Sequence, residues 1–156
     1  MKKTRLLAAV CMALLCCLLL AGCGKTEVKV DINKLAQELV NGIAYDDTLE
    51  LLETDEIGFY LTVEEGVAAV MYMSSGSTAE EVAVFEAPDE TTAIAMKGNV
   101  AEFLKDQGDS FKAYIPEEYD RVNNAVVVQQ GNYVALCVSG DSNKAQEIID
   151  KAFAGK

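Results

Sequence analysis

The side chains able to do chemistry in this sequence are carboxylates, a hydroxyl-rich loop and one late cysteine, and histidine is absent throughout. Six acids crowd residues 45–56: Asp46, Asp47, Glu50, Glu53, Asp55 and Glu56. Ser74, Ser75, Gly76, Ser77 and Thr78 form a second cluster, and Cys137 stands close to valines. Without histidine the commonest general base is gone, and with it the Ser-His and Cys-His pairs and most zinc and iron sites. A Ser-Lys pair on Ser74 or Ser75 needs no histidine, but serine in a Gly/Ser loop ordinarily serves the turn. Paired carboxylates can hydrolyse glycosides, yet such clefts are usually lined with aromatics and the chain has no tryptophan. The acidic run departs from the EF-hand pattern, with Leu51 where the loop glycine belongs. A looser cation site and a solvated acidic face are its two readings. The 74–78 loop is no phosphate cradle, since no Gly-Lys-Ser/Thr follows, although its hydroxyls and N–H groups could face a ligand. Cys137, mid-strand and without a basic neighbour in sequence, reads as a small buried hydrophobe. No catalytic residue, metal-ligand set or cofactor motif emerges, and the chain reads as a non-enzyme.

The remaining cysteine of interest is Cys23. Lys2, Lys3 and Arg5 precede an uncharged apolar run over residues 6–21, the layout of a secretory signal. The run is shorter than the roughly 20 residues of a bilayer-spanning helix and ends in small residues, which disfavours a retained transmembrane segment. Leu20-Ala21-Gly22-Cys23 resembles a bacterial lipobox, which implies cleavage before Cys23 and lipidation of its sulfur. The alternative is an incidental cysteine at an ordinary cleavage site. Two or three acyl chains would anchor the chain stably to a membrane. The expected organisation is a signal peptide at 1–22, a lipidated cysteine and tether at 23–30, and one domain at 31–156 on the extracytoplasmic face of the cell membrane.

Loss of residues 1–22 removes three bases and no acid, leaving 134 residues with 10 basic and 25 acidic side chains, a net charge near −15. Such a field disfavours nucleic acid and anionic headgroups. Cys11, Cys16 and Cys17 leave with the signal, so Cys137 has no disulfide partner once Cys23 is acylated. A domain of this size can bury a core without staples, and the lack of a disulfide fits export from a Gram-positive cell.

The elements that must position these groups follow from periodicity. Asp31 can cap a helix with Ile32, Leu35, Ala36, Leu39 and Ile43 on one stripe. The leucines of the acidic segment, Leu49, Leu51 and Leu52, suggest a short helical turn. Residues 57–63, 67–73 and 81–86 read as strands, with 64–66 as a turn, and Ser77 or Thr78 with Glu80 or Glu81 has capping-box spacing. Pro88-Asp89 opens a long helix over Ala93, Met96, Val100, Phe103, Leu104, Phe111 and Tyr114, weakened at Gly98 and Gly108 and stopped by Pro116. Residues 125–139 form a hairpin about Gly131-Asn132, pairing Val128 with Ala135 and Val126 with Cys137. Both sides are largely apolar, so the hairpin is expected to be central in the sheet and covered on both faces. Asp141, Ser142 or Asn143 caps a last helix with Ala145, Ile148, Ile149, Ala152 and Phe153. The order predicts an α+β two-layer domain, a mostly antiparallel sheet of four to five strands with three helices. Its second face would need cover from a homodimer, a partner protein or the acidic segment.

Residues 72–85 (YMSSGSTAEEVAVF), 111–116 (FKAYIP), Asn124-Ala125 and 131–136 (GNYVAL) resemble recurring blocks of small lipoproteins of Gram-positive bacteria that share a domain of unknown function. The likeness runs over about residues 30–153, and it implies no activity or catalytic residue. The expected role is a non-enzymatic, lipid-anchored module that binds an envelope protein or component. A small-molecule or cation-binding accessory lipoprotein is the alternative, and an unrecognised hydrolase the third reading. No cofactor is expected; the partners are the membrane, through the anchor, and an envelope protein or a second copy. Cys23→Ala should abolish incorporation of labelled fatty acid and move the protein from the detergent to the aqueous phase in a partitioning assay. Retention of both signals would overturn the lipobox.

Overall fold

The computed structural model describes residues 29–155; Cys23, the signal segment and the tether up to residue 28 lie outside the described residues. The first helix, α1 (Ile32–Gly42), starts where Asp31 accepts a hydrogen bond from the Lys34 N–H, the capping arrangement that satisfies an open helix end. A two-residue strand, β1 (Glu50–Leu51), a 3₁₀ turn (Ile57–Phe59), β2 (Ala68–Met73) and β3 (Glu81–Glu86) follow. The long helix α2 (Glu90–Lys112) is capped by Asp89, and α3 (Pro116–Asn123), β4 (Val126–Gln130), β5 (Tyr133–Val138) and α4 (Ser142–Phe153) complete the domain. Asp141 caps α4 through the Lys144 N–H.

One five-stranded sheet, in the order β1-β2-β3-β5-β4, is antiparallel at every pairing, so the chain is an α+β fold. The hairpin has the expected register, Val128 opposite Ala135 and Val126 opposite Cys137, around Gly131 at φ +55°. Alternation along β3 and β5 is strict. Val82, Val84, Ala135 and Cys137 join α1 and α4 in one core; Ala83, Phe85, Val134, Leu136 and Val138 join α2 and α3 in the other. Helices of the same chain therefore cover both faces, and the second layer expected from a partner or a second copy is supplied internally. The hairpin expected to be central is so only in β5, which is buried along its whole length; β4 pairs on one side alone and is the half-buried edge.

Four local expectations are corrected. Residues 57–63 form no strand: N–H groups of Phe59 and Tyr60 bond back to Glu56 and Ile57. Ile57 and Leu61, four apart, are buried while Phe59 between them is exposed, a helical spacing and not an alternating one. The leucine-bearing stretch 49–52 of the acidic segment forms no helical turn. It runs extended around the sheet edge, where Glu50 and Leu51 pair with Met73 and Tyr72, sending Leu49 to one core and Leu52 to the other. Ser77 and Thr78 cap no helix, because the chain enters β3 directly. Finally, the long helix ends at Lys112, and Pro116 opens a fourth helix. Proline at the first helical position has no N–H to lose, and Glu117 and Glu118 in the first turn with Arg121 in the last suit the helix dipole.

Gly98 interrupts neither α2 nor its packing; it is solvent-exposed and a methyl there would meet no atom within 4 Å. Gly98→Ala should therefore stabilise the fold by about 0.5–1 kcal/mol through helix propensity, measured as a raised denaturation midpoint. A lowered midpoint would show that the helix needs glycine at this point.

Candidate functional site

Among the described residues Arg121 is the single arginine, and the polar chemistry of the domain is arranged around it. Helix α3 places Glu118 and Arg121 one turn apart, facing the loop between β2 and β3. The Arg121 side chain is only 14% exposed, with Nη1 2.6 Å from Glu80 and Nη2 beside Asp46 and 3.5 Å from Glu118. The contact with Glu80 is a charge pair whose N–H is poorly aligned. Arginine suits this position because its planar fork serves several carboxylates at once. Burial by itself would lower the Arg121 pKa; the hydrogen bond from Arg121 to Asp46 and the charges of Glu80 and Glu118 outweigh it and raise the value.

Glu80 is nearly inaccessible, and its carboxylate accepts the N–H groups of Asp46 and Asp47 and the Thr78 hydroxyl. Glu118, also buried, accepts the Ala79 N–H at 2.7 Å. Buried carboxylates without partners are costly. Here each joins a separate stretch of chain, so the α1–β1 connection, the 74–78 loop and α3 are held together.

The outer side of the loop is organised by Asp47. Its carboxylate accepts the Ser75 N–H, the Ser75 and Ser77 hydroxyls and the Thr48 N–H. The Ser75 side-chain and backbone hydrogen bonds lead these in lowering the Asp47 pKa to about 2. Ser74 donates to the Thr78 carbonyl, and Gly76 supplies the turn at φ +93°. The hydroxyls of Ser74, Ser75, Ser77 and Thr78 are thus all engaged by acceptors of this chain, and none of these bonds involves a lysine. Cys137 is buried on the other core face, 3.6 Å from the Tyr45 hydroxyl. Burial pushes its thiol above the ordinary value, which removes the thiolate that nucleophilic attack requires. An open cleft of about 350 Å³ between α2 and α3, lined by Leu104, Gly108, Tyr119 and Val122, contains none of the clustered charges. Among the described residues no three His, Cys, Asp or Glu side chains converge as metal ligands, and no helix is long and apolar enough to cross a membrane.

A second feature lies on the 3₁₀ turn. Ile57 and Leu61 pin it into the core, and Phe59 and Tyr60 project between them at 85% and 50% exposure. Asn99 of α2 fixes the following segment by donating to the Thr62 carbonyl and to Glu64. The exposed aromatics are thus carried on a secured turn.

Residues 59–139 match the family model described as Domain of unknown function (DUF4358), just over half of the chain. The chain belongs to this family. The DUF4358 region begins at the exposed Phe59 and ends one residue past β5, taking in the 74–78 loop, Glu80, Glu118 and Arg121. Asp46 and Asp47, which complete the cluster, come from outside it. No curated protein and no solved structure matches the chain.

Arg121, Glu80, Glu118 and Asp46 escaped sequence reading as a group because they are separated by up to 75 residues. The available signal was local: a Glu80-Glu81 pair between Ala79 and Val82, at the mouth of an apolar strand. Arg121→Ala leaves Glu80 and Glu118 buried without their cation, and should cost about 3–5 kcal/mol, read by denaturant unfolding. Arg121→Lys should recover only part, lacking the fork. A loss below about 1 kcal/mol for the alanine variant would show that the cluster is not holding the three segments.

Proposed function

We propose that the chain is a lipid-anchored, extracytoplasmic, non-enzymatic binding module of a Gram-positive cell envelope, and that it engages a protein partner. The observation that carries the binding role is the Phe59-Tyr60 pair, exposed on a turn whose flanks are buried. Aromatics on a pre-ordered support lose little entropy on binding and are enriched among residues that dominate interface energies. Glu53, Asp55, Glu56 and Glu65 stand exposed on either side in sequence. A partner that suits this surface offers an apolar pocket with a basic rim. The anchor and location are supported by Leu20-Ala21-Gly22-Cys23 and the signal-like residues before it. The non-enzymatic reading is supported by the lack of histidine and by the use of the loop hydroxyls within the fold.

A photocrosslinker at residue 59 should trap a discrete envelope-protein adduct in cells, and one at residue 147 on α4 should not. The double variant Phe59→Ala, Tyr60→Ala should reduce binding of that protein at least tenfold, while each exposed substitution changes stability by no more than about 0.5 kcal/mol. Equal trapping at both positions, or unchanged binding by the double variant, would overturn this surface.

A further inference from the structure

Glu81 begins the central strand, facing the opposite core from Val82, and it has no solvent-exposed surface. Its neighbours across the strands are Met73 and Val138. The single side-chain hydrogen bond it receives comes from Gln107 Nε2 of α2, 3.2 Å from Oε2. Its other oxygen, Oε1, is buried and without a partner, and so is Oε1 of Gln107. These are two acceptor oxygens without a donor, on two planar groups already joined by one hydrogen bond. A charged Glu81 would leave both orphaned in an apolar core, a costly arrangement.

We infer that Glu81 is a neutral carboxylic acid in the folded protein at neutral pH, donating from Oε1 to the Gln107 carbonyl oxygen. The two side chains then form a cyclic acid–amide pair that latches the start of β3 to the C-terminal half of α2. The inference is independent of the proposed binding role. The titratable groups nearby are Glu80 just before the strand, Glu118 on α3 and Cys137 on β5. Arg121 neutralises the first two, α2 presents the uncharged Gln107, and β2 presents Met73. Burial, offset in part by the Gln107 hydrogen bond, pushes the Glu81 pKa up to about 8 from 4.5. Below 4.5 the folded and unfolded chains both carry the proton, so the group contributes no pH dependence. Between 4.5 and 8 only the folded chain binds it, and the folded-to-unfolded ratio falls as pH rises, by about tenfold per unit. Above 8 the proton passes to solvent, and a buried carboxylate faces the Gln107 carbonyl oxygen. The latch then opens on the alkaline side.

The experiment compares the full chain with Glu81→Gln by infrared spectroscopy at pH 7 and by denaturant unfolding from pH 5 to 9. An amide at residue 81 can make the same two hydrogen bonds to Gln107 without a titrating proton. The wild type should show a protonated-carboxyl C=O band that the variant lacks. Relative to the variant, its stability should fall about tenfold per pH unit through this range, levelling near pH 8. A wild-type spectrum without that band, parallel pH profiles, or failure of Glu81→Gln to fold would each overturn the neutral pair. Gln107→Leu, which removes both the donor and the acceptor, should move the protonated-carboxyl C=O band to higher frequency, the position of an acid without hydrogen-bond partners. An unshifted band would also count against the pair.

Discussion

Residues 82–85 of β3 have no solvent-exposed surface on either side of the sheet, and that burial governs what surrounds them. An antiparallel sheet apolar on both faces cannot leave one face to water. The chain therefore has to supply helices on both sides, α1 and α4 against one set of alternating residues and α2 and α3 against the other. To change sides between α1 and the 3₁₀ turn it must pass around the edge of the sheet. The acidic segment makes that passage, and β1 is the short ladder formed on the way.

Double burial also explains where the polar groups collect. Backbone and carboxylate groups near the entrance of β3 are cut off from water, so each needs a partner inside the protein. Arg121 neutralises Glu80 and Glu118, Glu80 gathers the Asp46 and Asp47 N–H groups, and Glu118 takes the Ala79 N–H. Glu81, pointing to the opposite core, meets an amide and no cation. Two adjacent glutamates thus face different electrostatic environments because strand neighbours point to opposite sides. The 74–78 loop is shaped by the same demand for partners, with Asp47 taking the place an external anion could have occupied.

Much of this architecture was legible in local sequence. Asp31, Asp89 and Asp141 stand just before apolar periodic runs and cap the helices there. Gly131-Asn132 between valine-rich segments set the hairpin register residue by residue. The misread elements are those where local pattern has two solutions. Residues 57–61 fit alternation or four-residue spacing equally, and only packing of Ile57 and Leu61 into one core decides between them. Pro116 ends a helical pattern and is equally suited to begin one.

The sequence alone determined the antiparallel α+β class, the hairpin register, the capped helix starts and the burial of Cys137, because each depends on neighbours within a few residues. Tertiary structure alone decided that helices of this chain cover both faces, that Arg121 joins Asp46, Glu80 and Glu118, that Asp47 fills the serine loop, and that Glu81 meets Gln107. Apart from Arg121 and Glu118, one turn apart on α3, those pairings bring together groups 26 to 75 residues apart, and their partners are chosen by which side chains lose water at the same place in the packed core. Local spacing carries no record of that choice.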